Sequence, residues 1–156
     1  MGSDFDNTLA LAGGNILELD HEGNQIQSEI EKRLDIGILE VHQLVKARRG
    51  QGIFKMRVKK NEKSCRITGL EIQQHLIASH IKPWAKSSDE EKIDGSNGLL
   101  LSPHVDHLFD NGYLSFKGNG EVVFSNKLQY RVLSAWHIDP EINAGKFNKK
   151  QASYLE

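Results

Sequence analysis

Residues 74–112, "QHLIASHIKPWAKSSDEEKIDGSNGLLLSPHVDHLFDNG", constrain this chain more than any other stretch. "QHLIASHI" (74–81) has the length and apolar content of a buried strand, and Pro83 stops it. "AKSSDEEKIDGS" (85–96) is too polar for a core and reads as a loop, with one helical turn after Ser88. "NGLLLS" (97–102) is a second strand. "SPHVDHLFDNG" (102–112) is a short helix, with Ser102 as N-cap, Pro103 in the first turn and Gly112 as the stop. The order is therefore strand, long loop, strand, helix. His80 closes the first strand, Asn97 opens the second, and His104, Asp106, His107 and Asp110 ride the helix.

Elsewhere the pattern is simpler. "GGNILELDHEG" (13–23) reads as a short strand or hairpin. From Ser28 to Arg49 the apolar residues Ile30, Leu34, Ile38, Val41, Leu44 and Val45 recur at helical steps, with Gly37 as a weak point. "RGQG" (49–52) punctuates the chain before a second short helix at 53–62, with Ile53, Phe54 and Val58 inward. "CRITG" (65–69) reads as a strand entering a turn, and 113–125 as a β-hairpin around "GNG". Residues 126–138 form a last amphipathic helix, followed by a loose tail.

The whole chain has 156 residues, enough for one domain with an appendage. Its apolar fraction of 38% includes no run of the roughly 20 residues that a membrane helix needs. The first residues lack a basic region followed by an apolar one, so no secretory signal is expected. Cys65, the single cysteine, excludes an internal disulfide and a multi-cysteine zinc site, and it reads as a small buried residue. These features point to the cytoplasm. A net charge of −1 hides a strong asymmetry. Residues 1–40 hold nine acids and two bases, whereas 46–63 hold eight bases and one acid. A basic block of that density is either a polyanion-binding surface or a solvated helix face.

Geometry on the helix leaves one point open. Residues 104 and 106 lie about 200° apart, so only one of them points squarely at a given ion. Spacing alone does not choose between them.

The blocks "RRGQGIFKMRVKKNEKSCRITG", "ASHIKPW", "NGLLLSPHVDHLFDNGYLSF" and "FNKKQASYLE" resemble, in this order, the HNH endonucleases of the ββα-metal fold. They are similar to HNH domains found among bacterial restriction-type nucleases. The resemblance implies an α+β domain with an HNH core, flanking helices and a C-terminal β-hairpin. It spans 49–156, behind an acidic N-terminal segment and helix at 1–48. It also implies metal-dependent hydrolysis of DNA phosphodiester bonds with Mg²⁺ or Mn²⁺.

Carried over by position, His80 is the general base, and Asn97 orders the loop that carries it. Asp106, nine residues beyond Asn97, is a hard-oxygen metal ligand. Ser79 stands where many members carry Asp or His as the other ligand, and His104 is its first substitute, as a ligand or a catalytic group. Arg48, Arg49, Lys55 and Lys82 are expected to contact phosphates. His75 is expected to be structural, and Trp84 and Trp136 to lie in the core or at its rim. For the N-terminal attachment, a homodimer contact and a contact with a further domain both stay open. The first alternative is the same fold with an impaired site, binding nucleic acid without cutting it. The second is a structural interaction domain, which would show no salt-sensitive DNA binding.

Overall fold

The structure, a computed structural model, describes residues 38–156. The strand or hairpin expected at 13–23, Gly37 and the start of the expected helix lie outside the described residues. The chain divides into two units, Met1–Met56 and Arg57–Glu156.

Helix α1 (Ile38–Asn61) runs through "RGQG" without a break, so the expected pair of helices is one helix. Two interior glycines disfavour a helix by about 2 kcal/mol together, but unlike proline they remove no backbone donor. Good helix formers surround them (Lys46, Ala47, Arg48, Gln51, Met56), and Phe54 and Val58 are buried as expected.

After α1 the chain closes a tight loop rather than the strand expected at 65–69. The Gly69 N–H donates to the Cys65 carbonyl (2.8 Å), and the Cys65 N–H donates to the Leu70 carbonyl (2.9 Å). Gly69 sits at φ +73°, which turns the chain back on itself and spends within the loop the backbone groups a strand would pair. Cys65 is fully buried at its base.

Strand β1 (Ile77–His80) pairs antiparallel with β2 (Gly98–Leu101) in the register Ile77↔Leu101, Ser79↔Leu99, His80↔Gly98. Every β2 residue is buried, whereas Ile77 on β1 is exposed, so the apolar run at 74–81 is only partly internal. The intervening loop contains the expected helical turn, α2 (Asp89–Lys92). It opens on a capping box, in which the Ser88 hydroxyl accepts from the Glu91 N–H and the Glu91 carboxylate accepts from the Ser88 N–H.

Helix α3 (Pro103–Asp110) follows β2 after one residue. It ends as expected at Gly112, whose φ of +73° allows the Tyr113 N–H to reach the Leu108 carbonyl (2.8 Å) and the Gly112 N–H to reach Phe109 (3.1 Å). Ser102 occupies the N-cap position, but its hydroxyl is engaged by Thr68 Oγ1 at 2.7 Å. Strands β3 (Leu114–Phe116) and β4 (Val122–Phe124) form the expected hairpin.

Helix α4 (Tyr130–Ala135) is shorter than the expected 126–138. The Ile138 N–H donates to the Leu133 carbonyl and the His137 N–H to Ser134, a Schellman stop that places His137 at φ 54°.

The tail is not loose. The Ala144 and Phe147 N–H groups donate to the carbonyls of Gly120 and Gly118, so the tail runs along the β3–β4 turn. A side chain at Gly120 would meet the Gly145 carbonyl at 2.6 Å. Helix α5 (Lys149–Leu155) then starts on a second capping box, between Asn148 and Gln151. Gln151 is buried and donates to Glu62 (2.7 Å), which also holds Arg66 through both carboxylate oxygens (2.8 and 2.9 Å). Arg66 reaches the Ala144 carbonyl at 3.1 Å and lies 4.1 Å over the Phe147 ring.

Candidate active site

His80, at the last position of β1, is half-buried. Its Nε2 lies 2.8 Å from the Lys92 carbonyl, at the end of α2. A carbonyl only accepts, so Nε2 carries the proton, and the neutral ring has its lone pair on Nδ1. Burial disfavours the imidazolium and holds the His80 pKa below the usual 6.5, although the Lys92 carbonyl pulls the other way. His80 therefore stays a neutral base on the acidic side of that value.

Asn97 is completely buried. Its Oδ1 accepts from the Lys82 N–H (2.8 Å), and its Nδ2 donates to the Glu91 carbonyl (3.0 Å) and to Ser87 Oγ (3.4 Å). Its main-chain carbonyl accepts from the Ile81 N–H (2.9 Å). One amide thus ties both ends of the 81–92 loop, the loop whose last residue supplies the carbonyl that holds His80.

The expected ligands are less closely grouped. Ser79 is buried next to His80, but successive strand residues point to opposite faces. On α3, His104 and His107 both stand edge-on to Trp136, with ring centroids at 5.8 and 6.1 Å. They share one side of the helix, as a three-residue step requires, and Asp106 lies away from them. Asp106 is half-exposed, its N–H closes the first turn on the Ser102 carbonyl (2.9 Å), and its carboxylate has no partner among the described residues.

Among the described residues no three His, Cys, Asp or Glu side chains gather into a ready-made ion cage. A single open carboxylate nevertheless fits Mg²⁺, which keeps most of its waters and takes one or two carboxylates together with substrate phosphates. Asp106 is the residue that would hold it.

Lys82, expected on phosphate, has its ammonium on both Glu91 oxygens (2.9 and 2.7 Å). Arg48 and Lys55 are exposed on α1 and Arg49 is half-buried, all within the Met1–Met56 unit. His75, expected on a strand, is exposed in a short turn (Gln73–His75) beside Gln74. Both tryptophans lie at the rim, Trp84 under the Lys92 ammonium at 4.3 Å. An open groove of about 830 Å³, lined by Thr68, Gln74, His75, Ile77, Pro103 and His104, shares only His104 with the expected site. Sequence reading missed the Lys92 and Glu91 main-chain carbonyls, which any residue type would offer.

Two antiparallel strands, a long intervening loop and a following helix, with His80, Asn97 and Asp106 set on them, define a ββα arrangement of the nuclease type. Residues 65–117 match the HNH endonuclease family. No curated protein matches the chain. The tail and α5 lie beyond the matched residues.

Proposed function

We propose that this protein is a metal-dependent endonuclease that hydrolyses DNA phosphodiester bonds in the cytoplasm, in a restriction or defence setting. The observation that carries the reading is the His80 ring held on the Lys92 carbonyl, in a loop that Asn97 secures. In this mechanism Nδ1 of His80 accepts the proton of the attacking water, a task suited to an imidazole titrating near neutrality. The Lys92 carbonyl keeps Nε2 protonated and, as the ring charges, accepts from an imidazolium N–H, a stronger hydrogen bond. A divalent ion at Asp106 would supply charge relief for the phosphate and the departing oxygen. Arg48, Arg49 and Lys55 provide phosphate contacts, while Glu91 offsets the charge of Lys82.

Supercoiled plasmid tests this directly. Nicking or linearisation is expected with Mg²⁺ or Mn²⁺ and none with EDTA; equal cleavage under both conditions would remove the metal from the mechanism. The acid limb of kcat/KM is expected to fall with a midpoint below pH 6.5, because His80 keeps its lone pair below that pH. A midpoint above 6.5 would assign the limb to another group.

Ser79 at an expected ligand position favours a second reading, a domain that holds DNA without cutting it. That reading requires salt-sensitive binding with no cleavage by the intact protein.

A further inference from the structure

We propose that Tyr154 and Lys150 of the carboxyl-terminal helix, acting through Asp94, are positioning residues for His80. The proposal rests on the reading of His80 as the general base. The path is continuous. The Tyr154 hydroxyl donates to Asp94 Oδ2 at 2.8 Å, and the Lys150 ammonium reaches the same oxygen at 2.9 Å. The other Asp94 oxygen accepts from the Ser96 N–H (2.9 Å) and so opens the Gly95–Asn97 turn, while the Asp94 carbonyl accepts from the Asn97 N–H (2.9 Å).

The turn is also held from the side of α1. A Cβ on Gly95 would stand 2.6 Å from the Arg57 carbonyl, and the Arg57 guanidinium donates to the Ile93 carbonyl (3.0 Å). From the turn the buried Asn97 amide reaches Lys82 and Glu91, and two residues before Asp94 the Lys92 carbonyl meets His80.

Asp94 thus joins α5 to the turn on which Asn97 is mounted. Burial pushes its carboxyl up, but the Lys150 cation, the Ser96 N–H and the Tyr154 phenol together hold it below the usual carboxylate range. Burial, together with the hydrogen bond to Asp94, pushes the Tyr154 phenol up to about 12, so it remains a donor throughout the physiological range. A charged acceptor with two lasting donors is a firm anchor. Sub-ångström placement of a general base matters because small displacements of reacting groups cost large factors in rate.

The test uses the full chain with Tyr154→Phe, Asp94→Asn and Lys150→Ala, and folding of each is checked by circular dichroism and thermal unfolding. Two readouts are taken. The first needs no nuclease activity: exchange of the His80 Nε2–H with solvent, followed by ¹⁵N–¹H NMR and assigned with His80→Gln. Exchange is expected to quicken about tenfold or more in Tyr154→Phe and Asp94→Asn, with the other histidines unchanged. The second is plasmid cleavage, where kcat is expected to fall about tenfold with KM unaltered.

Unchanged His80 exchange in both variants overturns the proposal, and so does faster exchange with unaltered kcat. Should the wild type not cleave, the nuclease reading fails by itself, and the exchange experiment still decides whether α5 sets the His80 ring. If Tyr154→Phe and Asp94→Asn do not fold, Lys150→Ala carries both readouts, since that side chain is largely exposed and its loss leaves the fold intact.

Discussion

Replacing His80 with alanine is expected to slow plasmid cleavage by about a hundred- to ten-thousandfold, the range that a positioned general base contributes. DNA binding should be unchanged, because His80 is half-buried at the end of β1 and uses its Nε2 on a protein carbonyl. The loss should therefore fall on kcat, as it does when an interaction made only in the transition state is removed. Single-turnover cleavage with saturating protein, alongside a binding titration at fixed salt, separates the two effects. A variant that cleaves at the wild-type rate would show that another group takes the proton from water. Structure should be little affected, since the 81–92 loop stays tied by Asn97 after the ring is gone. Asn97→Ala is the harsher change to the fold, because it leaves the part-buried Glu91 carbonyl and Lys82 N–H without their partner.

The second large effect concerns stability rather than chemistry. Arg66→Ala is expected to destabilise the Arg57–Glu156 unit by about 3–5 kcal/mol, the usual cost of removing one partner from a buried ion pair. Glu62 is only 3% exposed, and without Arg66 its carboxylate keeps a single described partner, the Gln151 amide. The Ala144 and Gly145 carbonyls lose their donor as well, and Phe147 loses the guanidinium above its ring. Urea unfolding should show a midpoint lowered by roughly 1 M or more at an unchanged slope. Arg66→Lys should recover only part of the loss, because an ammonium cannot make the two-pronged contact to Glu62 and also span the tail carbonyls. A change below about 1 kcal/mol would mean that the tail is held by its apolar contacts alone.

These two residues also mark how far the sequence could be read. His80 was legible because its setting is local: a strand end before Lys-Pro, a polar loop, then Asn-Gly opening a second apolar run. The same holds for the helix after Ser102, where Pro103 and Gly112 act on the turns beside them, and for the helical turn after Ser88. The misses are of two kinds. At "RGQG" local glycine signals were over-weighted, since a cost of about 1 kcal/mol per glycine is small for a helix with good formers on both sides and buried residues further along. In the tail, Asn148 three residues before Gln151 was a readable capping box, and it would have located α5.

Within the site, residue types named His80, Asn97 and Asp106, but main-chain partners escaped because every residue carries the same carbonyl. Spacing on α3 already set His104 and Asp106 on different sides of the helix, and the structure adds that His104 packs edge-on against Trp136.

The sequence by itself therefore determined the strand, loop, strand and helix order of 77–110 with the caps and stops beside it, and it nominated His80, Asn97 and Asp106 as candidates, since each of these depends on neighbours within a turn or two. Only the tertiary structure decided that Glu62 meets Gln151 across 89 residues, that Arg66 meets Ala144 across 78, and that Tyr154 meets Asp94 across 60. Such pairs depend on where the chain returns after closing its core, and a polar side chain carries no local mark of the partner that will satisfy it once water is excluded.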